Sequence, residues 1–201
     1  MASTATPYGF RPVNLVGGQP YAGSTRQIKI ASAYNTNLFN GQIVSIVAAG
    51  TIQLVTTNGD NSTPFPAGTV GVFVGVSYTD PNSNQKVFAQ NWPASTVASD
   101  AMAYVVDDPS VLLRVQADAT VAQSALGSNA HLAAVQSTST GSTVSGNSNT
   151  ALDATVATTS GFAFRIVDFV NEPNATVGDE FTDVLVKFNP DAHSYLNKTG
   201  I

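Results

Sequence analysis

An all-β domain, either a small barrel or a sandwich, is the fold this chain predicts. Eight or more short runs alternate apolar with polar residues. Turn-forming residues interrupt them about every 8 to 12 positions, and helical periodicity is almost absent. At 201 residues the chain is long enough to bury a real core. The expected organisation is an extended N-terminal arm over 1–24 and one β-barrel-like domain over 25–201, with a surface loop at 137–160.

Residues 1–24 carry Pro7, Pro12, Pro20 and the Gly17-Gly18 pair, interleaved with Tyr8, Phe10, Val13, Leu15 and Val16. Proline fixes φ and removes a donor, so neither a helix nor a central strand forms here. The segment reads as an arm with aromatic anchors. Its side chains are too apolar to be left in water, so the arm docks on a partner surface, or else wraps its own domain as a lid.

Alternating runs at Gln27–Ile30, Gln42–Val47 and Thr51–Val55 read as strands, the last two joined across Ala48-Ala49-Gly50. Asn58-Gly59-Asp60-Asn61 is a turn. Thr69–Tyr78 is the longest strand, with Val70, Val72, Val74 and Val76 on one face and Gly71, Phe73 and Gly75 on the other. Gln85–Ala89, Ala101–Val106 and Val111–Gln116 follow, the last pair separated by Asp107-Asp108-Pro109-Ser110.

Ala119–Leu126 suits a short helix, with Asp118 or Thr120 as N-cap and Gly127 as terminator. His131–Val135 is a further strand. Residues 137–160 are nearly all Ser, Thr, Gly, Asn and Ala, which predicts a solvent-facing projection. Phe162–Val170 and Asp183–Phe188 are strands, joined by a turn around Asn171–Asn174. Asn189-Pro190 opens a single helical turn.

Charge is scarce. Asp, Glu, Lys and Arg make up 10% of the chain, against about 25% in an ordinary soluble domain. A surface of hydroxyls and amides is cheap to desolvate, and it suits a protein packed against copies of itself or a partner. An extracellular β-domain with a neutral surface is the other reading. The net charge of −5, with eight basic residues scattered along the sequence, argues against nucleic-acid binding. No run approaches the roughly 18 apolar residues of a membrane helix, and the first residues lack the character of a secretory signal. Without such a signal the sequons at Asn61, Asn174 and Asn197 read as chance.

The absence of cysteine excludes disulfides, thiolate metal sites and a Cys nucleophile. His131 and His193 have no nucleophile elbow nearby, and His193 beside Asp191 reads as a surface pair. Asp80-Pro81-Asn82-Ser83-Asn84 begins like a calcium loop. It has Gln85 and Asn91 where that loop needs its glycine and its bidentate glutamate, so a plain turn is expected. Asp107-Asp108 reads as turn-shaping. Trp92 before Pro93 is a core or interface anchor, or a sugar-stacking platform if it is exposed beside Tyr78 or Phe88. No catalytic, cofactor or metal residue is assigned, and the chain reads as a non-enzyme.

Three segments carry a family likeness. Pro7-Tyr8-Gly9-Phe10-Arg11-Pro12-Val13 resembles the opening of small virion proteins of tailed bacteriophages. Ala103–Pro109 with the Val115-Gln116 strand is similar to their central segment, and Leu196–Ile201 to their ending. The family is that of capsid decoration, or cement, proteins. The resemblance implies a small β-barrel, commonly a homotrimer, on the capsid exterior, where it bridges capsomers of the major capsid protein without a cofactor. Candidate capsid or subunit contacts are then Tyr8, Phe10, Arg11, Val13, Leu15 and Trp92. Another virion part (head fibre, tail or capsid subunit) and a carbohydrate-binding β-domain are the alternative readings.

Overall fold

In this computed structural model, the structure describes residues 4–173 and 175–201; the sequon at Asn174 lies outside them. In chain order the strands are β1 (Arg11–Leu15), β2 (Arg26–Lys29), β3 (Leu38–Phe39), β4 (Gln42–Ile46), β5 (Ile52–Leu54), β6 (Thr69–Thr79) and β7 (Lys86–Ala89). They continue with β8 (Asn91–Trp92), β9 (Met102–Val106), β10 (Val111–Gln116), β11 (Asn129–Ala130), β12 (Phe164–Phe169) and β13 (Asp183–Phe188). Among the described residues, helix is limited to 3₁₀ turns at Gln123–Ala125 and Pro190–Ala192.

Every ladder between these strands is antiparallel. A five-stranded sheet has the order β1-β10-β13-β12-β11, and a six-stranded one the order β2-β9-β6-β4-β5 with β7 alongside β6. The two pack face to face as an all-β sandwich. Their shared core holds Phe10, Ile43, Val72, Leu113, Phe164, Ile166 and Val186. A second core of Ile30, Val44, Phe73, Val76, Trp92 and Ala103 fills the opposite face of the six-stranded sheet, beneath the β3–β8 pair. That sheet curls until a lone parallel bridge joins Ile30 to Ile52, but no ladder forms there and the barrel does not close.

β6 is apolar throughout because both its faces are covered. Its valines do not share one face, as strict alternation predicts. Register shifts opposite Gly71 and beside Val74 rotate the strand, so Val72 enters the shared core while Val70, Phe73 and Val76 enter the second. Gly71 holds φ at +143°, and a Cβ there would run into the Val106 carbonyl oxygen.

Three expectations are corrected. Ala119–Leu126 shrinks to one 3₁₀ turn: Asp118 accepts from the Ala154 amide instead of capping, and Thr182 Oγ1 takes the Val121 amide. His131–Val135 is not a strand; Asn129–Ala130 pairs β12 instead, leaving Leu132 a single bridge to Leu152. Residues 137–160 do not project as a whole. Val144 is 97% exposed, yet Leu152 is fully buried in the shared core, and Ser148 and Thr150 are buried on the way to it. Hydroxyls paired with backbone and with each other let so polar a stretch go inside.

Candidate interaction surface

The N-terminal segment is built into its own domain. Thr6 N donates to Gln116 Oε1, and Phe10 is fully buried, stacked on Phe164. β1 then pairs β10 along the edge of the five-stranded sheet, with a bulge at Val13. Pro12 is tolerated because this is an edge; the sequence excludes a central strand here but does not point to an edge strand.

Two candidate contacts are therefore corrected: Phe10 and Trp92 are both core residues, each 0% exposed. Trp92 Nε1 donates to the Tyr34 carbonyl, and the ring meets Tyr78 edge-on. Tyr78 is buried as well, so no sugar-stacking platform exists at Trp92. Leu15 packs half-buried against the shared core. Arg11 and Val13 face solvent.

Tyr8 joins a polar clamp. Arg114 Nε donates to Tyr8 Oη at 3.1 Å and to Asp183 Oδ2 at 3.0 Å, while Nη2 reaches the same carboxylate oxygen at 2.6 Å. Nη1 spans both oxygens of Glu172 at 3.2 Å. Burial, seconded by the Asp183 charge, pushes the Tyr8 phenol well above its ordinary value and keeps it protonated. Among the described residues no carboxylate pairs Arg11; its guanidinium lies 5.4 Å from the centre of the Tyr8 ring.

The edges of this sheet are sealed by the chain itself. Beyond β1, Leu15 N donates to Gln19 O and Tyr21 N to Val13 O; beyond β11, Asn129 and Ala157 exchange amide bonds. Strand addition to this sheet is thus hindered where an open edge would invite it.

Two faces are bare. On the six-stranded sheet, β7 turns Val87 and Ala89 toward the second core and leaves Phe88 73% exposed on the other side. Phe88 flanks a shallow groove with Val74, Gly75 and Tyr104. On the five-stranded sheet, the outward residues of β10, β12 and β13 include Arg114, Arg165, Asp168, Leu185 and Lys187. Of the eight basic residues scattered in sequence, four converge on this face: Arg11, Arg114, Arg165 and Lys187. Sequence reading missed this because cross-strand register, not linear spacing, creates it.

Several other titratable groups are tied into the fold. His193 is not a surface residue but fully buried, its Nδ1 accepting from the Tyr195 amide. Burial pushes its imidazole below the ordinary value, opposed by the Val70 carbonyl and by the Asp107 and Asp108 charges. Asp107 accepts from Tyr195 Oη at 2.8 Å and pairs Arg26 at 2.6 Å. Burial first, then that hydrogen bond, raises the Tyr195 phenol to about 12. Asp108 Oδ1 takes the Ser110 amide and shapes the turn. Asp80 takes the Asn82 and Ser83 amides, an Asx turn rather than a cation loop. His131 Nε2 lies 3.8 Å from Asp153. Among the described residues no group of three His, Asp or Glu converges as metal ligands.

Comparison of the chain with protein-family models, with curated proteins and with solved structures finds no match.

Proposed function

We propose that this chain is a virion structural protein of a tailed bacteriophage, a homotrimer that decorates the outer face of the capsid and bridges capsomers of the major capsid protein. Its role in this reading is non-catalytic.

The observation that carries the proposal is an exposed aromatic, Phe88, in a molecule whose five-stranded sheet has its edges sealed. Strand addition at the five-stranded sheet is hindered from within, while Phe88 is 73% exposed beside a shallow groove lined by Val74 and Tyr104. A contiguous exposed apolar patch marks an interaction site, and Phe88, Val74, Ala89 and Tyr104 line one shallow groove. The resemblance of Pro7–Val13 to cement proteins supports the same reading. In that segment Tyr8 and Phe10 anchor the chain, and Arg11 and Val13 are displayed.

The test is co-sedimentation of the purified protein with undecorated heads, followed by cryo-EM of the decorated particle. Density on the exterior in clusters of three is the expected result. Heads that emerge bare at saturating protein would refute the reading.

A further inference from the structure

We propose that the outer face of the five-stranded sheet is a docking surface for a carboxylate-rich protein surface, received between Arg165 and Lys187. Arg165 on β12 lies directly opposite Lys187 on β13, and Arg11 directly opposite Arg114. Like charges in directly opposed positions destabilise a sheet. The second pair is compensated, because Arg114 is held by Asp183 and Glu172.

The first pair is not. Among the described residues no carboxylate lies within ion-pair distance of Arg165 or Lys187. Arg165 Nε reaches only the neutral Asn129 Oδ1, at 3.1 Å. Asp168, the nearest acid in register, accepts the Phe169 amide. In a chain of net charge −5 with eight basic residues, two of them face each other across one ladder without a counter-charge.

A partner bearing carboxylates supplies that counter-charge. Leu185, half-buried beside Arg114 and Asp168 on the same face, adds an apolar contact at the centre. Arg165, Lys187 and Leu185 lie side by side on one sheet face, so an opposing protein surface can meet all three at once. Complementary charge of this kind sets register and speeds encounter. The inference rests on the virion reading in placing the acidic partner surface on the capsid shell.

The test compares wild type, Arg165→Glu/Lys187→Glu and Lys29→Glu/Lys198→Glu. Both double variants move the net charge from −5 to −9, two units per substitution, but only the first alters this face. On undecorated heads the face variant is expected to bind about tenfold more weakly or worse, the factor that ~1.4 kcal/mol represents. The control keeps wild-type binding, and wild-type binding weakens between about 50 and about 300 mM salt. Equal binding by both variants, or equal loss, overturns the proposal.

Arg165→Gln/Lys187→Gln guards against misfolding. It removes the repulsion, so its melting temperature is expected to equal or exceed wild type; a lower one contradicts the uncompensated pair. If wild type ignores heads altogether, the virion reading falls and the face is judged on a short poly-glutamate peptide. Amide shifts at Arg165, Leu185 and Lys187 on adding that peptide support the surface. No shifts, or equal shifts with oligothymidylate, overturn it.

Discussion

Phe10 stacks on Phe164 with ring centroids 4.8 Å apart and planes 20° from parallel, and Phe164 in turn meets Phe65 edge-on and Phe188 at a tilt. The aromatic of the N-terminal segment is thus one wall of the main core. Phe10→Ala is expected to lower unfolding stability by about 3–5 kcal/mol, the cost of truncating a buried Phe. Val13→Ser, on the exposed bulge, is expected to change it by no more than about 0.5 kcal/mol. Urea unfolding checks both; equal effects would mean that the segment does not divide into anchor and display.

The Arg114 clamp ties Tyr8, β10, β13 and the loop between β12 and β13 together. Asp183→Ala strands a guanidinium that is 27% exposed in its side chain, which leaves Glu172 as its only carboxylate. The expected loss is about 2–3 kcal/mol, below the value for a fully buried pair because solvent still reaches the arginine. Tyr8→Phe, which removes a single hydrogen bond, is expected to cost about 1 kcal/mol. Chemical denaturation would expose the idea as wrong if the two ranked in the opposite order.

Acid sensitivity follows from His193. Its folded pKa is depressed, whereas the unfolded chain titrates near 6.5. Above that pH the ring is neutral in both states and stability is at its maximum. Below it the unfolded state takes up a proton that the folded state resists, so stability falls. The melting temperature is expected to drop between about pH 7 and pH 5, with a shallower slope in His193→Phe. Parallel slopes in the two proteins would assign the effect to other groups.

The polar stretch after Gln136 divides by burial. Exchanging 142–145 for Gly and Ser is expected to leave the melting temperature within a few degrees, since these residues are exposed. Leu152→Ala is expected to cost about 2–5 kcal/mol, because Leu152 is fully buried. Calorimetry on the two variants separates the tip from its root.

Periodicity and turn chemistry made most strands legible; Asp183–Phe188 even matches residue for residue. Short pieces such as β3, β8 and β11 carry too little alternation to register, and they form because a core below them needs a lid. The facing of β6 was hidden because a bulge resets a period of two without leaving a mark beyond Gly71. Residues 147–152 misled through composition: hydroxyls that bond one another lose the polarity by which a surface is recognised. Of the candidate contacts, aromatic character pointed to burial but not to whose core, and Phe10 and Trp92 proved to serve their own. The Arg165–Lys187 juxtaposition had no linear signal at all, because residues 22 positions apart meet only through register.

The sheet orders also dictate a sequence of events in time. All strands of the six-stranded sheet lie between Arg26 and Val106, whereas the five-stranded sheet draws on Arg11–Leu15 at one end and on Val111–Phe188 at the other. During synthesis the first sheet to emerge complete is the inner one, around Trp92. The strand made first has its own partner only after Arg114 leaves the ribosome, and that partner's other neighbour arrives last. Closing so long a loop is slow, because its entropy must be spent before any contact repays it. A nascent chain therefore carries a finished half-domain whose Val72 and Val106 face water until β1 and β13 join on either side of β10.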